Sequence, residues 1–317
     1  LRLEGASRFS RIPPEMAFSD NSKGALLMAL SMAGFTFNDA LSKAVSPLMN
    51  VGQLMFVRGA LTTVLVYLVA RQMGALGHFR KLVQPKVLLR ILFETLAAVA
   101  FLSALGRMPL ANVSSILQSL PLAVTLGAAL FLGEPVGWRR WTAIAVGFLG
   151  VLIIIRPGPE GFTVASLYVL ASVVFAAARD LVTRRIDPEI SSLAVTLSTA
   201  GGITLAGAAL IVPFGGWQPM AASTWAIMTL AACLIFVGYL AIIMAMRTGE
   251  ISFIAPFRYT SLLWAVALGM IFFNEVPDHW MVVGTLTIIG SGLYTFYREN
   301  RLRAEKARQL LASGAQP

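Results

Sequence analysis

The chain has 317 residues, 57 % of them hydrophobic and only 13 % charged, with a mean hydropathy of +0.76; a soluble domain carries about 25 % charged residues, so this one is suited to a bilayer. A single cysteine, Cys233, excludes an internal disulfide, and two histidines, His78 and His279, both in predicted loops, exclude a buried His/Cys metal centre and argue against a His-based triad. The net charge of +10 is scattered over many short segments, which speaks against nucleic acid as a partner and for loops on the basic side of a membrane.

Residues 1–23, with Pro13-Pro14 and mixed charges, read as a cytoplasmic N-terminal tail. Crossing roughly 30 Å of hydrocarbon takes about 20 apolar residues. Ten such windows follow: 24–45, 51–71, 87–106, 110–132, 138–155, 162–183, 191–212, 222–246, 250–273 and 279–297. The first is too long for a signal peptide and carries Asn38 and Asp39. The second carries Arg58, the third Arg90 and Glu94, and the fourth Asn112, Gln118 and Pro121. The sixth carries Arg179 and Asp180, and the ninth Pro256, Arg258 and Tyr259. Residues 298–317 form a basic cytoplasmic tail in which the last helix runs on as an amphipathic stub at the membrane surface.

Shifted by 141 residues, the sequence matches itself: Ser31 falls on Ser172, Asp39 on Asp180, Lys43 on Arg184, Pro47 on Pro188, Ala104 on Ala245 and Glu134 on Glu275. The register holds without insertion, so the chain is a duplicated unit, 24–156 and 157–297, each with five spans. An odd number of spans turns the second copy upside down. The expected fold is therefore an all-α integral membrane protein with ten transmembrane helices as two inverted five-helix repeats, an arrangement that recurs in secondary transporters. Eighteen Lys and Arg residues flank the spans on the side of the termini and three on the other, which predicts that both termini are cytoplasmic.

Polar residues at membrane depth are costly unless paired or facing a wet cavity, so they are the candidates for binding cargo or a coupling ion. They are Asn38, Asp39, Arg58, Glu94, Gln118, Asp180, Arg258 and Tyr259. Asp39 and Arg58 lie at similar depth and are expected to pair across the first hairpin, as a structural ion pair or as part of the site. Arg90 and Glu94, spaced i,i+4, could satisfy each other, with Arg90 near enough to the interface to snorkel. Lys43, Arg184 and Arg247 read as interface anchors, and Glu134 and Glu275 as capping or loop contacts. Asp180 has lost the partner that Asp39 has, because the repeat mate of Arg58 is Thr199 and the neighbouring Arg179 points about 100° around the helix. Asp180, Arg258 and Glu94 are expected to cluster below the midplane. Pro121 and Pro256 interrupt corresponding spans and mark them as gating helices.

The ends of the fourth and ninth spans carry Leu130-Phe131-Leu132-Gly133-Glu134-Pro135 and Ile271-Phe272-Phe273-Asn274-Glu275-Val276-Pro277, each followed by a tryptophan, Trp138 or Trp280, and by glycines. This resembles the drug/metabolite transporter superfamily in its ten-helix EamA-type branch. The resemblance implies a central cavity lined mainly by the first four helices of each half, with the fifth and tenth at the periphery. Within that class Phe35-Thr36-Phe37-Asn38-Asp39-Ala40 is similar to the first span of bacterial riboflavin importers. The function expected is thus secondary transport of a small organic metabolite across the inner membrane, with riboflavin uptake as the single best candidate. Export of amino acids or amphipathic compounds is the alternative, and a membrane scaffold or channel-like protein the alternative of another class. No Gly-x-x-x-x-Gly-Lys-Ser/Thr run is present, so neither an ATP engine nor a cofactor is expected. Expected partners are cargo and membrane lipids. The glycines of the tenth span read as close helix packing, with a homodimer face as the alternative.

Overall fold

A computed structural model describes residues 20–72, 84–134, 137–156, 163–187, 190–248 and 250–312. The Pro13-Pro14 tail, His78, Pro135 and Pro188 lie outside them. Among the described residues ten helical spans are long and apolar enough to cross a membrane. In chain order they are α1 (Asp20–Val45), α2 (Val51–Gln72), α3 (Pro85–Leu105), a fourth span divided into α4 (Leu110–Leu117) and α5 (Leu120–Phe131), and α6 (Trp138–Ile155). The second half continues with α7 (Val164–Thr183), α8 (Ser192–Ile211) and α9 (Ala222–Thr248). A ninth span is divided into α10 (Ile251–Ile254), a 3-10 segment (Ala255–Tyr259) and α11 (Thr260–Phe273), and α12 (His279–Ala312) completes the fold. The even number of spans among the described residues leaves the start of α1 and the end of α12 on one face, called the terminal face; the other is the distal face. The expected stub is the continuation of α12 from the tenth span to Ala312.

The two divided spans break where proline chemistry dictates. Pro121 has no N–H and its ring crowds the carbonyl four residues back, that of Leu117, so α4 stops at Leu117 and α5 restarts with Pro121 in its first turn. In the ninth span Pro256 sits in the first turn of the 3-10 segment, where a backbone N–H would have no partner within that segment in any case. The interruptions thus fall at corresponding positions of the two repeats.

Packing between the halves follows the inverted symmetry. α1 lies against α9, and its repeat mate α7 lies against α3, the mate of α9. The self-paired contacts are α2 with α8 and α6 with α12. Repeat mates can touch each other only on the symmetry axis, and Thr63 and Thr204, 141 residues apart, share a hydrogen bond of 3.2 Å. That contact places the axis between α2 and α8 at mid-depth. The α6/α12 crossing shows the same relation. A Cβ on Gly150 would stand 2.7 Å from the Gly284 carbonyl, and one on Gly284 would stand 2.6 Å from the Gly150 carbonyl. The repeat mates of these two, Ser291 and Ala143, meet through a Ser291 hydroxyl donated to the Ala143 carbonyl. Lipid supplies no hydrophobic drive between helices, so this backbone approach is what holds α6 to α12.

Candidate functional site

Beside the Thr63–Thr204 contact, α2, α3, α8 and α9 enclose a cavity of about 80 Å³. Its polar lining is Arg58 and Thr62 of α2, Arg90 and Glu94 of α3, Thr196 and Thr199 of α8, and Tyr239 of α9, with Ile203 and Ile235 as apolar walls. The repeat axis and the mid-depth of the bundle therefore coincide with a polar interior cavity, the arrangement transporters use for cargo.

Arg58 donates through Nη1 to Asn38 Oδ1 at 3.5 Å and Ser42 Oγ at 3.3 Å. The direct Asp39–Arg58 ion pair expected from the sequence is not formed, since no Asp39 oxygen lies within the 4.0 Å ion-pair distance of Arg58. Asn38 takes the intermediate place, donating Nδ2 to Asp39 Oδ1 at 3.0 Å. Asp39 sits one residue, about 100°, around α1 from Asn38, so the side chain that faces α2 is the amide and not the acid. A guanidinium offers five N–H donors, and two long contacts through one nitrogen leave most of Arg58 available to the cavity. The Thr62 hydroxyl is buried there with no hydrogen-bond partner, a state that costs about 1–3 kcal/mol until something accepts or donates.

Arg90 also faces the cavity rather than snorkelling to the interface. It donates Nη1 to Thr199 Oγ1 and Nε to Thr183 Oγ1, the latter at 3.0 Å. Thr199 is the repeat mate of Arg58. Arg90 thus brings a guanidinium to the place the duplication left without one, and the two arginines stand on opposite sides of the axis.

Glu94 does not pair with Arg90. Arg179 of α7 reaches it at 2.9 Å and 3.1 Å, and also holds Asp180, its neighbour, at 2.8 Å. Asp180 is therefore partnered, against the expectation from the repeat. The long arginine stem curls its Nε back to the adjacent carboxylate while its Nη1 continues to α3, which the 100° separation on the helix does not prevent. Glu94 and Asp180 are brought together, but Arg258 is not with them, because the ninth span packs on α1 and α4 whereas α7 packs on α3.

Arg258 instead lines a cleft of about 300 Å³ with Gln118, Pro121, Pro256, Tyr259, Gly292 and Phe296. The cleft continues toward the terminal face as a space of about 410 Å³ edged by Glu134, Arg140 and Arg184. Among the described residues Arg258 has no ion-pair partner. At the deep end Gln118 Nε2 donates to Ser261 Oγ, and the Tyr259 hydroxyl abuts Gly292, where a Cβ would be 2.0 Å away. Both divided spans border this cleft at their breaks.

Lys43, expected as an interface anchor, is largely enclosed by protein instead, its side chain only 11 % exposed. Its Nζ lies 2.6 Å from Glu275 Oε1 and donates to the Met108 carbonyl, and Glu275 Oε2 accepts the Leu110 N–H at 2.7 Å. This is the loop and capping contact anticipated for Glu275. The mate pair Arg184–Glu134 forms on the opposite face at 3.3 Å. Of the cavity residues, the sequence names Thr199 only as the repeat mate of Arg58 and Tyr239 only as one of many aromatics, and it does not single out Thr62. The position of Thr199 as the mate of Arg58 is the signal that marks it; Thr62 offers none, being an ordinary residue of a membrane helix. Phe35 meets Tyr239 edge-on at 5.2 Å and Phe37 lies 5.8 Å from Trp264; of these four rings only Tyr239 lines the cavity.

The profile of the EamA-like transporter family matches residues 22–156 and again 163–297. The pseudopaline exporter CntI of Pseudomonas aeruginosa (strain UCBPP-PA14) is 27 % identical over 85 % of this chain and 95 % of its own length. A riboflavin transporter of Rhizobium johnstonii is 30 % identical over 69 % of this chain and 72 % of its own. An S-adenosylmethionine uptake transporter of Rickettsia bellii is 25 % identical over 87 % and 94 %. One crystal structure superposes with a TM-score of 0.61 at 15 % identity, covering 89 % of this chain and 99 % of that one, which bears on the fold.

Proposed function

Because the chain belongs to the EamA-like transporter family, and is a multi-pass membrane transporter of small-molecule cargo and not an enzyme, we propose that its cargo is an amphoteric metabolite with a carboxylate, carried across the inner membrane by alternating access. The carrying observation is the pair of guanidinium groups, Arg58 and Arg90, that line one cavity on the repeat axis, with the unpartnered Thr62 hydroxyl between α2 and the other cavity walls. A carboxylate accepts from arginine through two parallel N–H bonds and from a hydroxyl through a third, and such charge-assisted bonds are the strong ones in a dry site. Glu94, shared with Arg179, supplies the acceptor for a cationic part of the same molecule.

Riboflavin uptake remains the second reading, favoured by the names of two relatives. Riboflavin has no carboxylate for the arginines. S-adenosylmethionine, named for other relatives, has both a carboxylate and an ammonium group. The test is uptake into proteoliposomes, with and without a pH gradient, of labelled α-amino acids, S-adenosylmethionine and riboflavin. Carboxylate-bearing compounds should be taken up and compete with one another. Arg58→Gln and Arg90→Gln should each raise KM about tenfold or more, the loss expected for a hydrogen bond to a charged group. Saturable uptake of riboflavin alone would select the second reading.

A further inference from the structure

The duplication has produced the same ion pair twice, once on each face of the membrane. Lys43 and Glu275 are the repeat mates of Arg184 and Glu134, and both pairs are formed. They are formed unequally. On the distal face the Lys43 and Glu275 side chains are 11 % and 17 % exposed and 2.6 Å apart, whereas on the terminal face Arg184 and Glu134 are 53 % and 43 % exposed and 3.3 Å apart.

The distal pair ties three elements together. Glu275, just past α11, accepts the Leu110 N–H at the start of α4 with one oxygen and the Lys43 ammonium at the end of α1 with the other. Lys43 reaches on to the Met108 carbonyl and lies 5.3 Å from the centre of the Phe273 ring. A second clamp closes the same face: Gln53 and the Gln218 backbone exchange two hydrogen bonds of 2.8 Å, and Asn50 donates to the Gly216 carbonyl at 2.7 Å. The repeat mates of Asn50 and Gln53 are Ser191 and Ala194, which have no amide to build this clamp on the terminal face. There the looser Arg184–Glu134 pair edges the wide end of the Arg258 cleft.

We propose that Lys43–Glu275 and Arg184–Glu134 are the outer and inner latches of the transport cycle, engaged in alternation, and that this structure is the state latched on the distal face and slack on the terminal face. Inverted repeats exchange conformations when access switches from one face to the other. In the opposite state Arg184–Glu134 closes, with the Glu134 carboxylate taking the N–H of Ile251, the mate of Leu110, while Lys43 and Glu275 part. The four residues are positioning residues: they touch no cargo and decide which face the cavity opens to. Because the distal face alone carries the Asn50–Gln53 clamp, the cargo-free protein rests open to the terminal face. The proposal rests on the transporter reading but not on the identity of the cargo.

The test reads sidedness without cargo. In a Cys233→Ser background a reporter cysteine is placed at Ala200, on the cavity wall, and labelled with a membrane-impermeant maleimide in right-side-out and inside-out vesicles. The parent protein should label faster from the terminal face. Glu275→Gln keeps an oxygen for the Leu110 N–H but loses the charge that holds Lys43, so labelling from the distal face should rise several-fold. Glu134→Gln should leave distal labelling unchanged. The exchange Lys43→Glu with Glu275→Lys should return the distal rate toward that of the parent. A separate variant with Lys43→Cys and Glu275→Cys should stop transport when oxidised and recover it when reduced, which a misfolded protein would not do. Equal changes from both faces, or no change in either single variant, would overturn the latches. Normal latch behaviour with no uptake of carboxylate-bearing compounds would overturn only the proposed cargo.

Discussion

Replacing Arg179 by methionine removes the one cation that Glu94 and Asp180 share. Arg179 lies 2.9 Å from Glu94 and 2.8 Å from Asp180, with 21 % of its own side chain and 17 % of that of Glu94 exposed. Taking one partner from a buried ion pair costs about 3–5 kcal/mol, because it leaves an uncompensated charge. The Asp180 side chain is 38 % exposed, so solvent screens that half of the interaction and its share falls toward the ~1 kcal/mol of a surface pair. The expected loss is therefore about 3 kcal/mol, most of it from Glu94, and it should be largely recovered when Glu94→Gln is added, since the amide needs no counter-charge. The assay is the unfolding free energy of purified protein in mixed detergent micelles for wild type, both single variants and the double. A loss under about 1 kcal/mol for Arg179→Met, or a double variant no better than the single, would refute the view that Arg179 joins α3 to α7 by compensating buried charge.

Gly150→Val places side-chain carbon at the Gly150–Gly284 crossing, where even a Cβ would stand 2.7 Å from the Gly284 carbonyl; α6 and α12 must move apart, so thermal stability should drop clearly while Gly201→Ala, at a position where a Cβ meets nothing within 4 Å, should leave it unchanged. At Asp278 burial by itself pushes the carboxyl up, but the Met281 amide and Arg156, with His279, outweigh it and hold the group below its ordinary value. A lowered folded-state value means stability that is present above the unfolded value of 3.8 and lost as the pH falls through the folded one. Asp278→Asn, which keeps the helix cap and loses the charge, should therefore be slightly less stable than wild type at pH 7, with the difference closing in melts taken below about pH 4.

How much of this was legible in the sequence depends on which residues are asked about. The ten spans, the inversion and the breaks near Pro121 and Pro256 follow from hydropathy, an odd span count and the missing proline N–H, all of which act along one helix. The site residues needed knowledge of which helices face each other. Asp39 and Arg58 lie at the right depth to pair, yet Asn38 faces α2 instead, a matter of one residue of helix rotation. The helical direction of Arg179 differs from that of Asp180 by about 100°, but the reach of its side chain overrides that direction and gives it both carboxylates. Lys43 aligns with its repeat mate Arg184 at the 141-residue shift, and the two glutamates that pair with them align as mates as well. Depth alone made Lys43 an interface anchor; only the fold brings it to Glu275.

The most direct test of the cargo assignment is equilibrium binding to purified protein of one compound in two forms, S-adenosylmethionine and its methyl ester, to wild type, Arg58→Lys and Arg90→Lys. If the two guanidiniums receive a carboxylate, the free acid should bind wild type more tightly than the ester by about tenfold or more, and each lysine variant, keeping the charge but not the planar fork, should narrow that gap. Equal binding of acid and ester by wild type, with riboflavin binding more tightly than either, would contradict a carboxylate-bearing cargo.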